Sequence, residues 1–430
     1  MIFLSPIKFK STAFAIGGVL LISAAAYAEE VWTLENSIKQ VLKASPTVRS
    51  ADAEVTVRKA ELGQATLWPN PELGFSGSEK LGINDQTGGS DLTQMAITQP
   101  IPLVRLPREA RQAEAKFRMQ QELMREILLR QEYQASIRFN ELQFRAAEFE
   151  LAKEQLEFAS SYQGDNKGSQ KNDPLVRYLP PLEVKRLDII RASAAQAVAS
   201  SEGEYAEALS NFNALLRLPH DSESKTAPLE PAQRKETLKY LLTFQEKNHP
   251  ALAALKHQAE ADKAGISIAY GELFPEPVLT FFRERDFIND ERQNFYGVTL
   301  NFQVPIWDLK GKSIAKAKAH VEKSKYDLQA LAQELEAKLR ESHLHLGHLI
   351  EQAESYRLEI LNPSKEVFEL TRKGFTSGEM NVLSLIDANN IYLDARMRYL
   401  ELLYEAWLEL AEMRLATGIS ISGENSRGAK

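Results

Sequence analysis

Along most of this chain apolar residues recur in steps of three and four, the spacing that keeps one stripe of a helix turned toward a partner. One run carries Ala135, Phe139, Leu142, Ala146, Phe149 and Leu156; the next carries Leu187, Ala194, Val198, Tyr205, Leu209, Phe212 and Leu216. The pattern returns with Val321, Leu328, Ala332, Leu335, Leu339 and Leu346, and again with Val382, Leu385, Tyr392, Tyr399, Leu403, Ala406, Leu410 and Met413. The first run predicts a continuous helix over Ala110 to Ser160, roughly 75 Å long at ~1.5 Å per residue and far beyond the size of a compact domain. Helices of this kind read as coiled-coil struts.

Between the struts the period changes to two. Tyr296, Val298, Leu300, Phe302 and Val304 alternate with Gly297, Thr299, Asn301 and Gln303, so a strand over 296–304 has one apolar and one small or polar face. Nine residues at ~3.3 Å cover about 30 Å, the reach of a bilayer crossing. Weaker strand patterns lie near 72–77, 92–99 and 278–283, with Gly82 to Asp91 and Asp286 to Asn294 as polar hairpin connections. Four strands cannot close a barrel, and an open sheet edge in lipid strands backbone polar groups. Strands that span a membrane would therefore have to share a barrel with other chains; a small sheet away from lipid is the alternative reading of the same pattern.

The chain repeats once, at about half its length. Ser45-Pro46 opens a helical stretch ending in WPNPEL, Trp68 to Leu73, and His249-Pro250 opens one ending in FPEPVL, Phe274 to Leu279. TQPIPL, Thr98 to Leu103, is answered by NFQVPI, Asn301 to Ile306, each leading into a long alanine- and charge-rich helix. The expected organisation is a first repeat over 29–218, a connector over 219–248, a second repeat over 249–417 and a polar tail over 418–430. Residues 1–28, with Lys8 and Lys10 ahead of an apolar run and a small-x-small site at Ala26-Tyr27-Ala28, read as a cleaved export signal.

Composition narrows the function further. The apolar fraction of 43% is too low for a protein of spanning helices. The net charge of −7, and −9 once the two leader lysines are gone, repels nucleic-acid phosphates. There is no cysteine, so neither disulfides nor an N-terminal lipid-acceptor cysteine enter the picture. No G-x-x-x-x-G-K-[ST] loop, G-x-S-x-G turn or H-E-x-x-H pair occurs, which argues against an enzyme, and nothing calls for a cofactor.

In this order and in duplicate, WPNPEL, TQPIPL, FPEPVL, FQVPIWD from Phe302 and the segment GFTSGEMNVLSLIDA from Gly374 to Ala388 resemble the TolC-like outer membrane factors, and more closely their CzcC-like heavy-metal branch. The chain departs from that branch at Leu103 to Arg108, where a glycine-rich basic turn would be expected. The resemblance implies a mainly α fold with a small β part. Long antiparallel coiled-coil helices would form a periplasmic tunnel, and four strands per chain would contribute to a shared twelve-stranded barrel in a homotrimer. It also implies a passive outer-membrane duct of a Gram-negative cell, served by a periplasmic adaptor and an RND-type inner-membrane transporter. Metal cations lead as cargo; drugs or other organic compounds are the alternative, as is a purely structural periplasmic coiled coil.

The same resemblance assigns site residues. Hairpin ends should lie at Gly374 to Glu379 and within Gly164 to Pro181, with Gly374, Thr376, Ser377 and Gly378 docking the adaptor. Asp387 matches a position where acids ring the tunnel, Ser384 stands where another acid is expected, and Glu183 is the repeat-related candidate. Their bland reading is a set of turn residues and helix-start charges. Of His343, His345 and His348, only His345 and His348 share a helical face, making them a weak metal-binding pair rather than a site.

Overall fold

A computed structural model describes residues 31–80, 90–161, 181–234, 236–288 and 291–423. Both halves run two helices, two strands and a pair of struts, the first strut of the second half being divided by a π turn. The first runs α1 (Leu34–Ala44), α2 (Pro46–Ala65), β1 (Glu72–Lys80), β2 (Ser90–Pro100), α3 (Arg105–Ser161) and α4 (Pro181–Leu216). The second runs α5 (Leu238–Asn248), α6 (Pro250–Gly271), β3 (Val278–Ile288), β4 (Glu291–Asn301), α7 (Gly311–Tyr356), α8 (Asn362–Thr376) and α9 (Val382–Thr417). The leader lies outside the described residues, as does most of the first hairpin end.

Local chemistry sets the boundaries. Thr33 caps α1 by accepting from the Asn36 amide at 3.2 Å, and proline opens α2 and α6, where its missing N–H costs nothing. Gly418, at φ 84°, closes α9, and the amides of Gly418 and Ile419 both donate to the Arg414 carbonyl. Between α7 and α8 the helix widens into one π turn, Arg357–Leu361. Pro363 explains it. A proline ring clashes with the carbonyl four residues back, and a π turn, closed by the Asn362 amide on the Arg357 carbonyl, makes room for the ring.

Each repeat has its own core where the struts cross the short helices. Ile38, Val41 and Leu42 of α1 pack with Ala135, Phe139 and Leu142 of α3 and Phe212 and Leu216 of α4. In the second repeat Leu241 of α5 takes the place of α1, against Leu339, Leu346 and Leu349 of α7 and Leu402, Leu403 and Leu410 of α9. The segment expected as a plain connector over 219–248 therefore ends in a helix that serves the second core.

The four strands form one antiparallel sheet in the order β1-β2-β3-β4. The β2–β3 pairing joins the two repeats, and the hydroxyls of Thr98 and Thr280 meet across it at 3.1 Å. Register sorts the side chains by face. Leu73 pairs with Ile97, Ile97 with Phe281 and Phe281 with Val298; with Phe75, Met95 and Leu300 these residues make one exposed apolar face. Gly74, Gln94, Ala96, Thr98, Thr280, Phe282 and Thr299 occupy the other. On that face the Phe282 ring lies over Gly297, where a Cβ would sit 2.3 Å from the ring.

The strands differ in length from those read in the sequence. Asp286 to Asn294 is mostly strand, since β3 runs to Ile288 and β4 starts at Glu291. Charge along this stretch hid a ladder whose backbone pairing does not depend on side-chain polarity. At the other end β4 stops at Asn301, short of Val304, because Pro305 has no amide to donate and the Ile306 amide turns back to the Val304 carbonyl.

Among the described residues no helix is long and apolar enough to cross a membrane. Among the described residues a crossing would fall to the sheet. β1 and β4 are open edges within one chain, and in lipid an open edge strands its amides and carbonyls.

Candidate functional site

The end of the second hairpin is a tight turn between α8 and α9. Gly378 adopts φ 80°, a left-handed conformation that favours glycine. The Gly374 carbonyl accepts from the amides of Glu379 at 2.8 Å and Met380 at 3.1 Å, so the chain folds back onto it. A Cβ on Gly374 would stand 3.1 Å from Met380 Cγ. The Thr376 hydroxyl donates to the Lys373 carbonyl at 2.8 Å and that of Ser377 to the Gly374 carbonyl at 3.0 Å. Both hydroxyls therefore serve the turn, and what the tip presents outward is its backbone shape, Glu379 and the half-exposed Met380. Met380 was not singled out from the sequence, although its place between two turn signals, Gly378 and Asn381, marks it as a loop residue.

Beneath the turn, Phe375 is buried with Val382, Leu385 and Ile386 of α9 and Leu187 of α4. One apolar cluster thus ties the start of α4 to the start of α9. Asn381 caps α9, its Oδ1 accepting from the Ser384 amide at 2.8 Å and the Ser384 hydroxyl at 2.9 Å. Ser384 and Asp387, three residues apart, stand exposed on one face of α9, followed by Ile391 and Asp394. Glu183 falls in the first turn of α4, but its side chain lies outside the described residues, as does the turn within 164–180.

A ladder of rings and charges fixes α9 to α3 above this point. Phe158 meets Phe368 edge-on at 5.8 Å, Phe368 stacks on Tyr392 at 5.8 Å, and Arg396 lies over Tyr392 while its guanidinium pairs with Glu154 of α3. The helix that carries Asp387 is thus anchored by apolar contact at its start and by an ion pair three turns further along.

The histidines do not converge. His345 Nδ1 is 2.9 Å from Glu409 of α9, His348 is exposed, and His343 leaves its Nε2 without a partner. Burial, then the Arg234 guanidinium, hold His343 below its ordinary pKa, which keeps it neutral. Among the described residues no three His, Asp or Glu side chains are grouped to hold a metal ion.

One buried carboxylate was missed by sequence reasoning. Glu132 of α3 is 4% exposed and accepts from the hydroxyls of Ser420 and Ser422, each at 2.5 Å, and from the Ile421 amide at 2.8 Å. Residues 418–423, expected as the start of a polar tail, are therefore folded back onto the first repeat. The only sequence signal was an acid three residues ahead of the seam residue Ala135.

Long paired hairpins below a small sheet with an apolar outer face define the fold of an outer-membrane channel subunit. The comparisons agree. Residues 244–419 match the family model of outer membrane efflux proteins. The fold is that of the Campylobacter jejuni CmeC outer membrane channel, with a TM-score of 0.72 at 14% identity over 98% of this chain and 97% of that one. CusC gives a TM-score of 0.69 at 16% identity over 91% and 95%. In sequence the chain is 23% identical over 230 residues to the cobalt-zinc-cadmium resistance protein CzcC of Cupriavidus metallidurans. That match takes in 53% of this chain and about half, 50%, of the relative. Over residues 244–419 the chain is thus similar to outer membrane efflux proteins, and over nearly its whole length it has the fold of solved outer-membrane channels.

Proposed function

We propose that three copies of this chain form the passive exit duct of a tripartite efflux system, taking cargo from an inner-membrane transporter through a periplasmic adaptor. The observation that carries the reading is the sheet. Its outer face is apolar and exposed, Phe75 at 73% and Tyr296 at 77%, and its two edges are unpaired within the chain. Three such sheets joined edge to edge close a barrel and satisfy every ladder. A structural coiled coil away from lipid would have no use for such a face. Ser384 and Asp387 then line the narrow end of the tunnel, with Glu183 from the other repeat, and the turn at Gly374, Thr376, Ser377 and Gly378 meets the adaptor as a shaped backbone surface.

Divalent heavy-metal cations are the cargo this reading favours. The CzcC relative, a cobalt-zinc-cadmium resistance protein by name, supports it. An organic cargo is the second reading, and Ser384 favours it, since it leaves fewer carboxylates in the turn of α9 that carries Asp387. Cells with and without the gene, challenged with cobalt, zinc, cadmium and nickel, separate the two. Higher cell metal in the deletion, restored by the gene, is the expected result. Unchanged metal with raised sensitivity to organic compounds would move the chain to the second reading.

A further inference from the structure

The outer end of β3 carries alternating charges, Arg283-Glu284-Arg285-Asp286, and the register separates them by sign. Arg283 pairs with Tyr296 and Met95, and Arg285 with Asn294 and Thr93, so both cations share the face of Phe281, Val298 and Leu300. Glu284 and Asp286 share the opposite face with Phe282 and Thr280. Both arginines are exposed, and Arg283 donates from Nη2 to Asn294 Oδ1 at 3.0 Å.

An arginine on a lipid-facing strand is costly at the bilayer midplane and tolerated at the interface, so its height along the strand matters. Tyr296, in register with Arg283, is the outermost exposed apolar residue on this face of β4. Below it the apolar face continues through Val298 and Leu300 to the end of β4, and the chain beyond the strand carries the exposed Phe302, Val304 and Trp307, the last at 96%. From Tyr296 to Val304 the chain reaches at most roughly 26 Å at ~3.3 Å per residue, which matches an apolar band of about 25 Å between two aromatic girdles. Arg283 is then level with the outer girdle, and Arg285 stands about 7 Å beyond it.

Resting on the barrel reading above, we propose that Arg283 and Arg285, with Asn294 and Tyr296 beside them, bind the phosphate groups of glycolipid headgroups in the outer leaflet. Two guanidiniums on one sheet face present paired N–H donors to phosphate oxygens, and the tyrosine ring packs against the sugar and upper acyl chain. The strand's own carboxylates do not compete, because the pleat turns them to the other face. The occupant is a lipid phosphate rather than free phosphate because the site is continuous with the apolar band.

The test uses full-length trimers extracted from membranes, washed in detergent and weighed by native mass spectrometry for retained phosphorylated glycolipid. The R283Q/R285Q protein should retain about tenfold less than the wild type, as expected for losing charge-assisted pairs, and R283K/R285K should keep most of it. Enzymatic removal of the lipid phosphates should release the glycolipid from the wild type, and inorganic phosphate at millimolar concentration should not displace it. Equal retention by the Gln and wild-type trimers would overturn the headgroup site and leave the channel standing. Displacement by inorganic phosphate would reduce it to a general anion site. A wild-type chain that forms no membrane-embedded trimer would overturn both readings.

Discussion

Glu132 is a carboxylate at 4% exposure whose partners sit 288 to 290 residues further along the chain, at Ser420, Ile421 and Ser422. A buried charge is stable only when its lone pairs are used, and these three donors use them. Replacing Glu132 by Ala should free the strap, cost about 2 to 4 kcal/mol and lower the melting temperature, with faster proteolysis around residue 420. Glu126→Ala, which removes an exposed pair with Arg130, should change melting by no more than ~0.5 kcal/mol. His249 gives a pH dependence. It is buried, its Nδ1 accepts from the Ala251 amide at 3.3 Å, and its Nε2 faces the Leu415 carbonyl at 3.3 Å. Burial is the main cause that holds its pKa below the ordinary value. The unfolded chain takes up a proton near pH 6.5, the folded one only lower, so between those values the unfolded state binds more protons. Stability from this group is present above about pH 6.5 and is lost as pH falls through the folded value. Melting curves from pH 7.5 to 5 should show that loss, and His249→Ser, which copies Ser45 of the first repeat, should flatten it. Neither residue's role was legible in the sequence, because each depends on a contact that only the fold makes.

The struts and the sheet were far more legible. Seam residues such as Phe139, Leu142, Leu339 and Leu385 are buried where the three-four spacing placed them, since a helix fixes which side chains share a face. The alternation over Tyr296 to Leu300 gave the apolar face of β4 for the same reason at period two. What failed was the polar end of the ladder, where Asp286 to Asn294 reads as a hairpin connection yet is mostly strand. The π turn at Arg357–Leu361 was readable only through Pro363, whose helix otherwise continues unbroken in pattern. Gly297 and Phe282 give a test on the sheet's inner face. A side chain at 297 would enter the volume of the Phe282 ring, so Gly297→Val should drive the ring off the sheet and lower single-channel conductance. Phe282→Ala in the same protein should restore it. On α9, Asp387→Ala should raise leak conductance or weaken block by divalent cations, and unchanged traces from purified trimers would remove Asp387 from the gate.

At the level of the molecule, the two repeats are held together at three heights. The β2–β3 ladder joins them at the top, the Glu132 strap in the middle, and the Arg396–Glu154 pair with the Phe158, Phe368 and Tyr392 rings toward the lower end. The halves therefore act as one unit rather than two domains, and among the described residues the deficiency of one chain is a partner for its outer strands β1 and β4. That single deficiency makes assembly in a membrane the point on which the whole reading stands. The direct measurement is gel migration of the protein in outer-membrane fractions, unheated and heated in detergent. A band at about three times the chain's mass that collapses to the monomer on heating is the expected result, since a closed shared barrel resists detergent until it melts. A chain found only in the periplasmic fraction, migrating as a monomer whether heated or not, would contradict it.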